Sequence, residues 1–385
     1  IDRDGDLDLF VTNYVDLRRG NQFCGIPGPP PIREYCHPLV YPPLASRLYR
    51  NDGRGGFADI SKTSGIAAYQ GNGLGVAIAD VDDDGWADIF VANDSTPNFL
   101  FRNQRNGTFV ETAALAGVAV AADGKARAGM GTAFGDFGVS GRLGLIVTNH
   151  ETEMHSLFAN MGNWLFSDVT IRSGVGPATR PYVGFGVSFV DYDNDGSLDV
   201  AIANGNVMAN AATLRAGAKY GQRNLLLRNA GPRFVDVTKE AGPGFAPELV
   251  SRALVAGDID NDGDLDLLIT NNGAGPNLLL NDGGNRNRAI VIRAVGTRSN
   301  TSAVGTRLTL TAGQRRYVRE VQSGASYLGQ SDLRAHFGLG LADRAERLEI
   351  RWPGGTTEVV EDLRAGQIIT VREGRGISAR IPFAR

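Results

Sequence analysis

Apolar residues in this chain either alternate with polar ones or run four to six long, and no stretch sustains a helical period. Gly, Asn and Asp bound each run, as turn residues bound short strands. Comparing the chain with itself exposes a repeat. DVDDDGWADIFVAN from Asp80, DYDNDGSLDVAIAN from Asp191, DIDNDGDLDLLITN from Asp258 and IDRDGDLDLFVTN from Ile1 align without gaps. DFGVSGRLGLIVTN from Asp136 keeps the frame but has lost most of its acids. All five close on asparagine, at Asn13, Asn93, Asn149, Asn204 and Asn271. Repetition in every unit points to a strand-end turn role for these amides rather than to a sugar site.

A strand of small apolar residues precedes the later cores, as in GLGVAIAD and GFGVSFVD, and two strands follow, as in FLFRNQRNGTFVETA. Successive cores are 56, 55 and 67 residues apart from Asp80 to Asp258. Four short strands at that period predict the blades of a β-propeller, in which radial closure removes open edges. The longest interval holds 206–223, which predicts a short helix on a loop. The first unit lacks its upstream strand and the opening aspartate of its motif. That suggests a chain truncated at its N-terminus and a propeller that is incomplete or closed in a non-native way.

The shared core is D-x-D-x-D-G-x-x-D. Carboxylates at alternate positions of a tight loop converge on one point, and oxygen-only ligation suits Ca²⁺. Without a cation, such carboxylates repel one another by roughly several kcal/mol at low effective dielectric. The predicted ligands are Asp80, Asp82, Asp84, Trp86 and Asp88; Asp191, Asp193, Asp195, Ser197 and Asp199; Asp258, Asp260, Asp262, Asp264 and Asp266; and Asp2, Asp4 and Asp8. The seventh position (Trp86, Ser197, Asp264) contributes its backbone carbonyl. An EF-hand needs glutamate at position twelve and flanking helices. Here that position is Val91, Ile202, Ile269 or Val11, within a strand-like run, so the EF-hand reading fails. The Asp136 copy has Gly138, Ser140 and Gly144 in place of acids and is expected to bind no metal.

These repeats resemble FG-GAP/VCBS repeats, and the resemblance implies an integrin-α-like β-propeller with Ca²⁺ in such loops. The insert ending YCHPLVYPPLASRLYRNDG is similar to one in bacterial members of the cartilage acidic protein family. RAIVIRAVGTRSNTSAVGTRLTLTAG, SGASYLGQSDLRAHFGLG and LEIRWPGGTTE resemble an ASPIC/UnbV domain. Asn206 departs from the pattern, standing where the resemblance leads one to expect histidine, so no role for that loop is inherited. On the residues alone, the C-terminal region shows five or six β-like runs without the repeat, which predicts a separate sandwich-like domain. The chain therefore reads as all-β: a propeller of about five blade repeats over 1–284, a small β-sandwich-like domain over 285–376, and a tail over 377–385.

Composition adds limits. Net charge is -3, which gives no bias toward nucleic acid, and no apolar run is long enough to span a membrane as a helix. Cys24 and Cys36 lie in a Pro/Gly-rich stretch. A disulfide there closes a loop worth ~3 kcal/mol and implies an oxidising compartment. Zinc, with His37 adjoining Cys36, lacks a visible fourth ligand, and two free thiols are the remaining alternative. The chain is thus expected to be secreted, periplasmic or at the cell surface, with its signal peptide in the missing N-terminal part.

No H-E-x-x-H, G-x-S-x-G or G-x-G-x-x-G occurs. The densest candidate for other chemistry is Asn149–His155 (NHETEMH), read as an exposed polar loop ahead of a metal or acid–base site. The function expected is a binding or adhesion module for a protein or glycan ligand, with calcium structural and no catalysis. The alternative is a calcium-dependent, lyase-like enzyme acting on polysaccharide.

Overall fold

The computed structural model describes residues 1–17 and 23–384. Five antiparallel sheets follow one another along the chain. The first comprises Leu9–Val11, Arg47–Asn51 and Phe57–Asp59. The second comprises Gly73–Ala79, Asp88–Asn93, Phe99–Asn103 and Phe109–Glu111, in that spatial order. The third runs Thr132–Gly135, Gly144–Val147, Ser156–Gly162 and Leu165–Asp168. The fourth runs Gly184–Val190, Asp199–Asn204, Leu225–Asn229 and Phe234–Asp236. The fifth has Ser251–Gly257, Asp266–Asn271 and Ala274–Leu279. The helix expected within 206–223 is Ala211–Leu214.

The continuous apolar runs of the second strands follow from burial on both faces. Side chains alternate across a strand, so Ile89 and Val91 pack toward the first blade while Phe90 and Ala92 pack toward the third. Likewise Val200 and Ile202 face the third blade, and Ala201 and Ala203 the fifth. The pattern stops at the ends of the series. Leu268 in the fifth blade and Leu9 in the first are exposed on faces that no blade covers. Small residues in the first strands let neighbouring blades approach: a Cβ on Gly131 would overlap the Phe185 carbonyl oxygen, and one on Gly75 the Met130 carbonyl oxygen.

Two four-stranded sheets form the C-terminal domain. One orders Ala335–Gly340, Arg288–Val295, Gln367–Arg372 and Gly376–Pro382; the other orders Arg315–Glu320, Arg307–Ala312, Arg344–Arg351 and Thr357–Arg364. They share one core around Ile290, Leu308, Phe337, Leu348 and Trp352. The last strand corrects the expectation of a tail over 377–385, since Gly376–Pro382 pairs with Gln367–Arg372 up to Pro382. It is an exposed edge strand carrying Arg380, which is why its pattern reads as tail.

The segment leading from Glu320 to Asp332 lies along the first strands of four blades. The Asp80 amide donates to the Glu320 carboxylate (3.1 Å). Thr132 and Ser326 exchange both backbone hydrogen bonds (3.0 and 2.8 Å). The Val187 amide donates to Ser326 Oγ (3.0 Å), and the Ala256 amide to Ser331 Oγ (3.1 Å). The C-terminal domain thus plugs the propeller axis at the pole where the acidic loops sit.

Candidate metal centre

Each acidic loop leads into the long apolar strand that follows it, and in the second to fifth blades it joins the first and second strands. The fourth residue is left-handed in every copy: Arg3, Asp83, Val139, Asn194 and Asn261 all have φ between 50° and 64°. The sixth, Gly85 at φ 87° for one, needs a backbone that glycine adopts without strain. Even the acid-poor copy keeps this path, at the cost of a β-branched residue, Val139, at φ 50°. Loop geometry is therefore a property of the repeat, separable from its charge.

Three sets of carboxylates converge, with candidate ligand oxygens within 4.8 Å of one another: Asp80, Asp82 and Asp88; Asp191, Asp193 and Asp199; Asp258, Asp260 and Asp262. Of the other predicted ligands, Asp84 and Asp195 hold the turn by accepting from the Trp86 and Ser197 amides (2.8 and 2.7 Å). Asp264 is fully buried, accepts from the Asn285 amide (3.1 Å) and leaves Oδ1 without a partner. Asp2, Asp4 and Asp8 are not brought into such a cluster: Asp4 accepts from the Asp6 amide (2.9 Å), and Asp8 from the Asn51 amide (2.9 Å). The Asp136 carboxylate accepts from the Ser140 and Gly141 amides (2.8 and 2.9 Å).

The ninth-position aspartates do more than close the loop. Asp199 accepts from the Tyr192 and Asn229 amides (3.2 and 2.7 Å). Asp88 does the same for Val81 and Asn103 (3.2 and 2.9 Å), and Asp266 for Ile259 and Asn281 (both 2.9 Å). Each carboxylate thereby ties its loop to the third strand, with lone pairs left for a cation.

At or near the end of each third strand the repeats carry a further asparagine, read in the sequence as RN, AN or LN. Its side chain reaches the preceding blade: Asn103 to the Ile1 carbonyl (3.1 Å), Asn160 to Val81 (3.0 Å), Asn229 to Phe137 (2.8 Å) and Asn281 to Tyr192 (2.7 Å). The asparagines closing the second strands do serve turns. Asn13, Asn93, Asn149, Asn204 and Asn271 each donate to a backbone carbonyl between the second and third strands or where the third begins.

The donor sets at Asp191 and Asp258 fit a hard divalent cation. Asp191 is 1% and Asp258 2% exposed. Asp191 Oδ1 has no hydrogen-bond partner, and neither oxygen of Asp258 has one of good geometry. Burial, then the charges of Asp195 and Asp193, push the Asp191 carboxyl up to about 7, against Arg319. Burial, with Asp262, likewise lifts Asp258 to about 6, against Arg334. A buried oxygen that lacks a proton donor is supplied by a cation without rearrangement.

The His150–His155 loop is not a solvated one. His155 is fully buried, its Nδ1 accepts from the Asn149 amide (3.1 Å), and burial pushes its pKa down to about 3. Glu151 is buried in an ion pair with Arg215 and accepts from Asn206 (3.2 Å), while Glu153 accepts from the Ala128 amide (2.9 Å). These groups are spent on packing. At this same pole Cys24 and Cys36 are disulfide-bonded (Cα–Cα 5.1 Å), which sets aside the zinc and free-thiol readings. Among the described residues, no helix is long and apolar enough to cross a membrane.

Comparison with known proteins places these observations. Residues 1–91 and 80–147 match the FG-GAP-like repeat, and residues 296–378 match ASPIC and UnbV. Cartilage acidic protein 1 of Homo sapiens is 29% identical over 383 residues, 97% of this chain and 52% of its own length. The Mus musculus protein of the same name is 30% identical over 368 residues, 92% of this chain and 51% of its own. The chain thus spans about half the length of the curated relatives it matches. Among solved structures, an Agrocybe aegerita lectin that recognises non-reducing terminal N-acetylglucosamine aligns with TM-score 0.37 and 16% identity, over 63% of this chain and 60% of that one.

Proposed function

We propose that this chain, in which FG-GAP-like repeats precede an ASPIC and UnbV domain, is a calcium-braced propeller that works outside the cytoplasm as a binding or adhesion module for a protein or glycan. The observation that carries the reading is the placement of the acidic loops. They lie against the C-terminal domain, with three carboxylates of the chain converging in each, so an ion there braces loop and domain. A catalytic metal needs an open position and a neighbouring acid or base. His336, which reaches the Asp258 loop, donates its Nε2–H to the Gly263 carbonyl oxygen (3.1 Å) and is held neutral by burial, its pKa pushed down to about 4. The disulfide supports an oxidising compartment. The ligand surface is then the opposite pole, formed by the disulfide-bonded insert and the loops after the second strands, where Asn210 Nδ2 donates to the Arg33 carbonyl (3.0 Å).

The test is thermal unfolding of the wild type and Asp260→Ala with calcium and with chelator, alongside a glycan array and pulldown. Calcium at 100 times its dissociation constant raises stability by about 2.7 kcal/mol. We expect the variant to lose part of that increment and to keep ligand binding at temperatures where it stays folded. No increment at millimolar calcium would defeat the calcium reading. A variant with full stability but no binding would make the metal functional instead.

A further inference from the structure

The three acidic clusters differ in what faces them. Among the described residues, no ion pair reaches Asp191, Asp193, Asp195 or Asp199, nor Asp258, Asp260, Asp262, Asp264 or Asp266. Arg315 and Arg334 of the C-terminal domain do contact those two loops, but at the backbone carbonyls of Asp195 (3.0 Å) and Asp258 (2.6 Å), whereas at the Asp80 loop guanidinium groups hold the carboxylates themselves. Arg102 holds Asp82 (2.7 Å) and Arg105 holds Asp84 (2.7 Å). Arg351 pairs with Asp80 and, through its other nitrogen, with Asp83 (2.7 Å), which Arg307 also approaches (3.3 Å). Arg3 stacks on Trp86 (4.0 Å) and donates to the Gly85 carbonyl. Four guanidiniums thus pair with the four acids Asp80, Asp82, Asp83 and Asp84, and Arg3 adds a fifth positive charge beside them. No oxygen of these acids is buried without a partner, unlike those of Asp191, Asp258 and Asp264.

Two of the arginines come from the C-terminal domain, and their placement follows from strand register. Arg307 stands opposite Glu320 on one side and Arg351 on the other. The three side chains form one row across the sheet end that meets this loop. Glu320 takes the Asp80 amide, Arg351 takes the Asp80 carboxylate, and Arg307 also reaches the Gly141 carbonyl (2.6 Å) of the next blade.

We propose that the Asp80 loop, despite its complete motif, is not a cation site but an arginine latch that docks the C-terminal domain on the propeller. Arg351 supplies the positive charge that a divalent ion supplies at the other two loops. A cation entering the Asp80 loop would have to expel Arg351 and sit among the remaining guanidiniums, where like charges repel it. The chain therefore takes two cations where its motifs and clusters suggest three. This rests on the Asp191 and Asp258 loops being cation sites.

The chain carries an optical reporter for the test. Its three tryptophans surround this loop: Trp86 is in it, Trp164 lies over Arg102 (4.9 Å), and Trp352 follows Arg351. Terbium bound there would emit on tryptophan excitation. For the full chain we expect two calcium sites by calorimetry and no tryptophan-sensitised terbium emission. Arg307→Ala/Arg351→Ala should gain both a third site and the emission; if it does not fold, Arg351→Gln is read in its place. Wild-type emission that Asp80→Asn abolishes would overturn the latch, as would a folded variant that gains nothing. A second readout is independent of metal. In chelator, Arg351→Gln should speed protease cleavage in the interdomain turn 281–287 by about tenfold, through weaker docking, and an unchanged rate would overturn the proposal. A wild type that binds no calcium would defeat the calcium reading alone, with the latch still decided by proteolysis.

Discussion

Replacing Asp199 by alanine separates two jobs of one carboxylate. In the folded chain it accepts from the Tyr192 and Asn229 amides, at 3.2 and 2.7 Å, and it belongs to the cluster with Asp191 and Asp193. Alanine leaves two donors without an acceptor in a buried position. Each such loss costs about 1–3 kcal/mol, so the pair costs roughly 2–6 kcal/mol, toward the lower end where water refills the space. For a chain this large, in which 1 kcal/mol moves Tm by about 1–2 °C, that is a fall of roughly 3–10 °C. The matched control is Asp193→Ala, whose carboxylate, among the described residues, accepts the Asp195 amide of its own loop alone (3.3 Å). Differential scanning calorimetry in calcium and in chelator should find Asp199→Ala destabilised in both, and Asp193→Ala chiefly in calcium. If Asp199→Ala were harmless in chelator, the tie between loop and third strand would carry no energy and the reasoning would fail.

Two further outcomes follow from packing and protonation. Gly131→Ala puts a Cβ onto the Phe185 carbonyl oxygen, so we expect a loss of ~3 kcal/mol or more in urea unfolding; a near-wild-type midpoint would refute the close approach of the third and fourth blades. Burial holds His155 neutral, pushed down to about 3, and added acid must protonate Nδ1, which already accepts the Asn149 amide. Because its folded pKa lies below the unfolded value of ~6.5, its contribution is complete above that pH and lost as pH falls toward about 3. The Tm advantage of wild type over His155→Gln should therefore shrink from pH ~7 to ~5, and a constant difference would refute it.

Much of the fold was legible because its signal is local. The second strands declare themselves by runs such as DIFVAN, buried on both faces, and the loops by acids at alternate positions. The disulfide was readable from two cysteines near one another in sequence. What escaped depends on distant partners. Arg351 meets Asp80 across 271 positions, and no spacing rule links them. Asn229 reads as a turn residue until its amide is found on the Phe137 carbonyl of another blade. Gly376–Pro382 looked like a tail because an edge strand needs no inward apolar face, only a neighbour to pair with. His150–His155 looked solvated because its residues are polar, yet the fold buries Glu151 and His155 with their partners.

The plug along the axis has a consequence for biosynthesis. The Asp80 amide must wait for Glu320, 240 residues downstream, and Thr132 for Ser326. At roughly 5–20 residues per second, the ribosome takes on the order of tens of seconds to deliver them. During that interval the first strands of the nascent blades show unpaired edges to one another and to neighbouring polypeptides. Contacts of such long sequence separation also form slowly once both ends exist. The last quarter of the chain is thus what completes the first three quarters. A product terminated near residue 284 would hold every repeat and still be sticky, a natural client for chaperones rather than a smaller working module.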